Sequence, residues 1–333
     1  MALFLNEDDV NSLLSVTDAI GVLEGPIREQ GQKLAFNKPR SIVKSGTSSV
    51  SVLQAVVPSL GRMGFKTYTV GPEGARFWLM LFADSGELLS LIEADNIGRI
   101  RTGGATGIAT KYMSRADSKV AAILGSGVQA GSQLEAMCAV RPIEKVLAWS
   151  RTRANLVAFC EKMSAQLGIA VEPADSIEQA VRGADVVTTI TSAKEPILRG
   201  EWLREGTHVN LVGAMKITHR EADDQVLARA GLLAVDDLVQ SRAEAREFNE
   251  AVAAGLIRWE SVVELSDVVA SETPMRKSAA DISVFKSHGI GLWDIAAADA
   301  IYKNAIARSV GVRLPIEQAV VRLGGPDSDR TKM

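Results

Sequence analysis

The 333-residue chain has only two cysteines, Cys138 and Cys160, and three histidines. The cysteines stand in separate helix-like segments without the paired spacing of a disulfide framework or metal site, and read as core thiols in a reducing cytoplasm. No His, Cys and Asp set has metal-ligand spacing, and neither Gly-x-Ser-x-Gly nor a triad pattern occurs, so no metal is expected. Apolar runs break at a charge or glycine before the roughly 20 residues a membrane span needs, and MALFLNEDD meets acids almost at once; neither span nor signal peptide is expected. Charge of neither sign dominates: 37 Lys and Arg face 40 Asp and Glu, with no basic stripe, which argues against a nucleic-acid partner.

What is present is a 47% apolar chain long enough for two packed units, with nothing that reads as disordered. Its organisation changes once, near residue 117. Before it, helix starts are expected at NEDDVNSLL and SVTDAIGVLEGPIREQ, with Asn6 or Asp8 and then Thr17 or Asp18 as caps. The strand-like runs SVSVLQAVV, GFKTYTV, RFWLMLFA and ELLSLIEA follow, split by turn residues, and predict a mostly antiparallel sheet flanked by helices. From Lys119 the apolar strands VAAIL, KVLAWS, IAVEPA, ADVVTTIT, THVNLVGA and GLLAVDD alternate with amphipathic helices. That alternation marks an α/β fold with a doubly wound parallel sheet of Rossmann type. The helix GIGLWDIAAADAIYKNAIARSVG is expected to pack back toward the first half, and the tail GGPDSDRTKM to fray. The division expected is a discontinuous α+β unit, residues 1–116 with 305–333, and a Rossmann unit at 117–304.

The run KVAAILGSGVQAGSQLEAM holds Gly125-x-Gly127-x-x-Ala130 between a strand and a helix. Gly125 allows the tight turn, Gly127 lets backbone approach a pyrophosphate, and Ala130 permits close helix–strand packing. Gln129 sits at the helix start, whose free N–H groups and dipole suit phosphates. The motif alone is weak, but its strand–helix setting makes this a dinucleotide site. About 25 residues on, where an acid would bind the adenosine ribose, AWSRTRAN offers Ser150, Arg151, Thr152 and Arg153 and no carboxylate. A guanidinium and two hydroxyls suit a 2′-phosphate. The cofactor expected is NAD(P)H with a lean to NADPH, although Arg151 also fits adenine stacking or a solvated surface.

Taken in order, KPRSIV, GFKTYTV, RTGGATGIATKYM, LGSGVQAGSQLEAM, WSRTRANL, ADVVTTITSAKEPIL, THVNLVGA and FKSHGIGLWDIAAA resemble the ornithine cyclodeaminase and μ-crystallin family over nearly the full length. The resemblance implies a substrate and dimerisation unit, a Rossmann unit following it, and a homodimer. It also implies outcomes that the fold does not choose among: ornithine or lysine cyclodeaminase, alanine dehydrogenase, reductases of Δ1-pyrroline-2-carboxylate or iminosuccinate, and a hormone-binding crystallin. By similarity Arg40, Lys66 and Arg101 match the positions that hold the substrate carboxylate. Two guanidiniums clamp a carboxylate through forked bonds, and Lys66, crowded by two cations, is expected to have a lowered pKa suited to proton transfer. The plainer alternatives are a loop charge for Arg40, a snorkelling strand residue for Lys66, and an Arg101 paired with Asp95. Thr191 and Ser192 match the nicotinamide end. Thr102, Gly103 and Gly104 are expected to open a helix and lend N–H groups to the cofactor phosphates, and Ser287 and Gly289 match a returning loop near the nicotinamide.

One departure weighs more than the matches. Where ornithine cyclodeaminases carry an aspartate that handles the substrate amine, NLVGAMKITHREAD places Met215, whose thioether neither accepts a proton nor pairs an ammonium. Imine reduction needs no such carboxylate. Of the histidines, His208 reads as structural, whereas His219, with Lys216 near it, and His288 are candidate substrate contacts, and added positive charge would suit a dicarboxylic imine. The expected function is an NAD(P)H-dependent reductase of a small α-imino or α-keto acid giving an L-amino acid. A cyclodeaminase with internally recycled cofactor and a cofactor-dependent ligand-binding protein are the alternatives.

Overall fold

The computed structural model describes residues 2–318 and 320; the tail expected to fray, GGPDSDRTKM, lies outside them. The chain begins with β1 (Leu3–Leu5), α1 (Glu7–Leu13) and α2 (Val16–Gly31). Asn6 caps α1 by accepting the Asp9 N–H while Asp9 accepts from Asn6, a reciprocal box. At α2 the cap is Ser15, whose hydroxyl accepts the Asp18 N–H, and not Thr17 or Asp18. Five strands follow: β2 (Phe36–Ser45), β3 (Ser48–Val57), β4 (Arg62–Gly71), β5 (Gly74–Ala83) and β6 (Leu88–Glu93). They pair antiparallel in sequence order, and β1 adds beside β6 in parallel.

The long helix α3 (Asp95–Met113) leads into the second unit: β7 (Val120–Leu124), α4 (Ala130–Val140), β8 (Lys145–Trp149), α5 (Arg153–Leu167), β9 (Ala170–Pro173), α6 (Ile177–Val181), β10 (Val186–Thr189) and β11 (His208–Leu211). It continues through α7 (Asp224–Ala228), β12 (Ala230–Val235), α8 (Leu238–Glu244), α9 (Arg246–Ala253), β13 (Val262–Glu264), α10 (Leu265–Ala270) and β14 (Ile282–Lys286). All eight strands are parallel, in the order β13-β12-β14-β11-β10-β7-β8-β9. The six strands expected from the apolar alternation are all in this sheet. β14 was not among the strands expected; it pairs between β11 and β12, where its ISVF run is fully buried.

The last helix, α11 (Gly291–Arg308), packs on β3, β4, α2 and α3, and β15 (Val312–Arg313) pairs with β1. The return to the first sheet therefore comes before Gly291 and not at residue 305, because α11's apolar residues Leu292, Trp293, Ile295 and Ile301 are buried in the core of the antiparallel sheet. Strand order reverses between β7 and β10, so the carboxyl ends of these two strands form the crevice in which doubly wound sheets bind ligands. That crevice faces β2–β5 across a cavity of about 780 Å³.

Candidate active site

The antiparallel sheet supplies one wall of the cavity in rows. Strand residues two apart share a face, so register places Leu53, Lys66 and Leu79 in a first row, Ile42, Ser51, Tyr68 and Phe77 in a second, and Lys44, Ser49 and Val70 in a third. Lys66 is buried, and its Nζ donates to Asp294 Oδ1 at 3.0 Å. Arg101, from α3, donates its Nε to the same oxygen at 2.9 Å. Both terminal nitrogens of Arg101 carry no hydrogen bond among the described residues, which leaves a fork free for a carboxylate. The Lys66 ammonium is pulled down to about 8, first by burial and then by Arg101 and Arg40, with Asp294 opposing. Burial would raise the Asp294 carboxyl, but Arg101 and Lys66 outweigh it and hold the group below the usual carboxylate range. Arg101 does not pair with Asp95; Arg99 does.

Arg40 enters from an irregular stretch of β2, where the register with β3 shifts between Lys38 and Ser41. Its Nη2 donates to the His288 carbonyl at 2.6 Å, its Nη1 lies 3.7 Å from Glu244 Oε2, and its Nε is buried without a partner. Arg40, Lys66 and Arg101 thus line one cavity, although they come from two strands and a helix. His288 lines it too. Its imidazole is buried, with Nδ1 3.5 Å from Glu244 Oε2, and is held well below its ordinary value by burial, Lys286 and Arg40, so it is neutral.

The opposite wall is the crevice. Gly125 has φ +118°, and a Cβ there would stand 2.4 Å from the Ile190 carbonyl, so the turn requires glycine. At Gly127 a Cβ would meet nothing within 4 Å; the backbone is open to the cavity, and Gln129 beside it has a buried, unpartnered Oε1. These features fit a dinucleotide's phosphates against the start of α4, whose first residue is the buried Ala130. Ser150 follows β8 and accepts from the Ser126 hydroxyl at 2.9 Å; Arg151 is exposed and Thr152 precedes α5. These three lie at the carboxyl end of the strand next to β7 and do not line the cavity itself.

Several expectations change. α3 begins at Asp95, so Thr102, Gly103 and Gly104 lie inside a helix and not at its start. Their N–H groups belong to the helical ladder and no helix start lies here; Thr102 still lines the cavity, with its Oγ1 donating to the Gly98 carbonyl. The glycines serve packing: a Cβ at Gly103 would stand 2.7 Å from the Ser132 carbonyl of α4, and one at Gly104 3.1 Å from Ala19 of α2. Gly289 is likewise set against Arg101, whose Nη1 is 2.3 Å from where a Cβ would lie. Ser287 and Gly289 still line the cavity, and Asp236 holds their loop by accepting the His288 and Gly289 N–H groups at 2.5 and 2.6 Å. Burial raises that carboxyl to about 6. Met215, Lys216 and Thr218 line the cavity, whereas His219 does not and pairs with Thr218. His208 is buried between Ser283 and Asn210 and is pushed down to about 3 by burial.

Thr191 and Ser192 line the cavity, but the Thr191 amide and hydroxyl both donate to Glu221 Oε1 at 2.7 Å. Glu221 Oε2 accepts from Thr189 Oγ1, Gly213 N and Ala214 N at 2.8–3.0 Å. This fully buried carboxylate ties the ends of β10 and β11 together. Sequence reasoning missed it, as it missed Asp294 and Glu244. The signal for Asp294 was an acid inside an apolar helix, DIAAADA; Glu221 sits in the charged run HREADD, where nothing marks it.

Fold and cavity define the class: a Rossmann-type α/β protein whose strand ends face a second, antiparallel sheet bearing buried cations. The chain belongs to the ornithine cyclodeaminase/mu-crystallin family, whose model matches residues 2–309. It is similar in structure to Δ1-pyrroline-2-carboxylate reductase of Thermococcus litoralis in complex with NADH and L-proline (31% identity, TM-score 0.89, covering 94% of this chain and 100% of that one). An archaeal alanine dehydrogenase dimer with bound NAD matches at 30% identity and TM-score 0.87, covering 94% and 98%. The iminosuccinate reductase of Paracoccus denitrificans with NAD+ matches at 26% and 0.89, covering 95% and 99%.

Proposed function

We propose that the protein is an NAD(P)H-dependent reductase that converts a small α-imino carboxylic acid into an L-amino acid. The observation that carries this is the convergence of Lys66, Arg101 and Arg40 on the cavity that Gly127 and Thr191 also line. The cofactor supplies the hydride when bound, its pyrophosphate against Gly127 and the start of α4. The free fork of Arg101 takes the substrate carboxylate and orients the imine carbon toward the crevice. Lys66, with its value near 8, donates or recovers a proton close to neutral pH, and Asp294 keeps it charged and directed. Met215 leaves the cyclodeaminase aspartate's place without a carboxylate, so ammonia release is not the activity.

Arg151 and Ser150 suit a 2′-phosphate, which supports a lean to NADPH. The outer face of the antiparallel sheet supports a homodimer: Phe36 (58% exposed), Val43 (69%), Val50, Val56 and Trp78 leave it apolar and open, a surface a second copy would cover. Oxidation of NADH or NADPH followed at 340 nm with preformed Δ1-pyrroline-2-carboxylate, and with pyruvate, glyoxylate or oxaloacetate plus ammonia, tests the reading. Loss of absorbance with at least one imine is expected. Ammonia and proline formed from ornithine without net cofactor change would overturn it in favour of the cyclodeaminase.

A further inference from the structure

The reductase reading leaves the substrate's side chain open, and the sheet wall addresses it. Around the first row three cations, Arg40, Lys66 and Arg101, meet two carboxylates, Asp294 and Glu244. Glu244 ends α8, accepts from Gln240 Nε2 at 3.1 Å, and lines the cavity beside Arg40 and the neutral His288. Asp236 lies behind the 287–289 loop, its Oδ2 occupied by backbone amides, and does not line the cavity. One positive charge is left uncompensated at the cavity wall, which one carboxylate balances.

Beyond that row the wall changes character. Its second row, one two-residue step of about 7 Å along the strands, is Ile42, Ser51, Tyr68 and Phe77, with the rings of Tyr68 and Phe77 5.3 Å apart. The row holds no cation of its own; the first-row Lys66 has its Nζ 5.9 Å from the Phe77 ring centroid, but that ammonium is paired with Asp294. Lys44 stands in the third row, about 14 Å from the first, exposed at the mouth with Lys216. A four-carbon diacid anchored by one carboxylate on Arg101 does not span that distance, and its second carboxylate would lie against the aromatic row, in a cavity that Glu244 also lines.

We infer that the second row, with Glu244, is a specificity site selecting α-imino acids with one carboxylate and a short uncharged side chain, and rejecting four-carbon dicarboxylic imines. The inference rests on the reductase reading, and its test separates the two. We would compare kcat/KM for iminosuccinate, formed from oxaloacetate and ammonia, with that for the imine of 2-oxopentanoate, an uncharged side chain of similar length, subtracting rates without ammonia. The uncharged imine should win by roughly 10- to 100-fold, the effect of leaving a polar group unpaired in a desolvated site. Ile42→Arg, at a half-exposed position, places a guanidinium on the second row and should narrow the gap about tenfold or more; Glu244→Gln should narrow it less. Equal efficiency of the wild type toward both imines would overturn the inference and leave the reductase reading intact. A gap that Ile42→Arg does not narrow would remove the second row as its source. Turnover of neither imine, and none of Δ1-pyrroline-2-carboxylate or the imines of pyruvate and glyoxylate, would remove the reductase reading, and the inference with it.

Discussion

The two walls of the cavity are built from different materials. On the parallel sheet the features that matter belong to the backbone: the turn at Gly125, the open edge at Gly127 and the strand ends held by Glu221, all within a continuous run of strand–helix units. On the antiparallel sheet they belong to side chains brought from far apart, as Lys66 and Asp294 are, 228 positions from one another. A backbone site is written in local sequence, because a turn and a helix start need particular residues at fixed spacing. A side-chain site is written only in the fold.

The comparison predicts where substitutions act. Arg101→Lys keeps the charge but removes the fork and shortens the reach to Asp294, and should lower kcat/KM for the imine by about 100-fold or more while leaving cofactor affinity within about twofold. Retention of wild-type efficiency would move the carboxylate anchor to Arg40. Measuring cofactor affinity by fluorescence quenching in the same variant checks that the two walls are separable.

Asp294→Asn attacks the same wall through its charge balance. Two buried cations lose their shared partner, so a stability loss of about 3–5 kcal/mol is expected in a denaturant titration. The titration of Lys66 carries the sharper signature. If protonated Lys66 is the donor, imine reduction declines as pH rises through about 8 in the wild type. Asp294 raises the Lys66 value, so its neutralisation moves that decline to lower pH; an unmoved or alkaline-shifted limb would show that Lys66 is not the titrating group. By linkage, the wild-type lysine costs stability below about pH 8 and the cost is relieved as pH rises toward its unfolded value near 10.5.

Legibility followed the same divide. The six strands named from apolar alternation, the glycine turn and the start of α4 were readable because each is a local pattern. The start of α3 was misplaced because GRIRTGGATG has low helix propensity and looks like a boundary. In the structure those glycines are contact points where α2 and α4 approach the helix, a reason that exists only after folding. Lys66 and Arg101 were found through family blocks, and the lowered lysine value was anticipated from neighbouring cations. Burial proved the larger cause, and Asp294, which opposes it, was not seen.

Glu221 belongs to the backbone wall although it acts through its side chain. Its two oxygens accept five hydrogen bonds, from two hydroxyls and three amides, and a Cβ at Gly213 would stand 2.5 Å from Oε1. In Glu221→Gln an NH2 group faces donors on one side, so the ends of β10 and β11 should separate. The expected result is about tenfold weaker binding of NADH with little change for ADP-ribose, which lacks the nicotinamide. Equal weakening of both would mean that the residue supports the sheet as a whole and does not position its nicotinamide end.

The smallest effect is expected where the backbone wall ends and an exposed side chain takes over. Arg151 lies past β8, free of the cavity and without a hydrogen-bond or ion-pair partner among the described residues, so its replacement by Ala should leave stability within about 0.5 kcal/mol. Its effect should be confined to a 2′-phosphate: the KM for NADPH rises several-fold while that for NADH stays level, as expected when one charge-assisted contact at a solvated site is lost. Equal changes for the two cofactors would make Arg151 a stacking or surface residue and remove the lean to NADPH. The solved neighbours carry NADH or NAD, so the same pair of titrations on the wild type decides whether this wall departs from theirs. Because Arg151 touches neither Lys66 nor Arg101, the outcome would leave the substrate wall's chemistry unchanged.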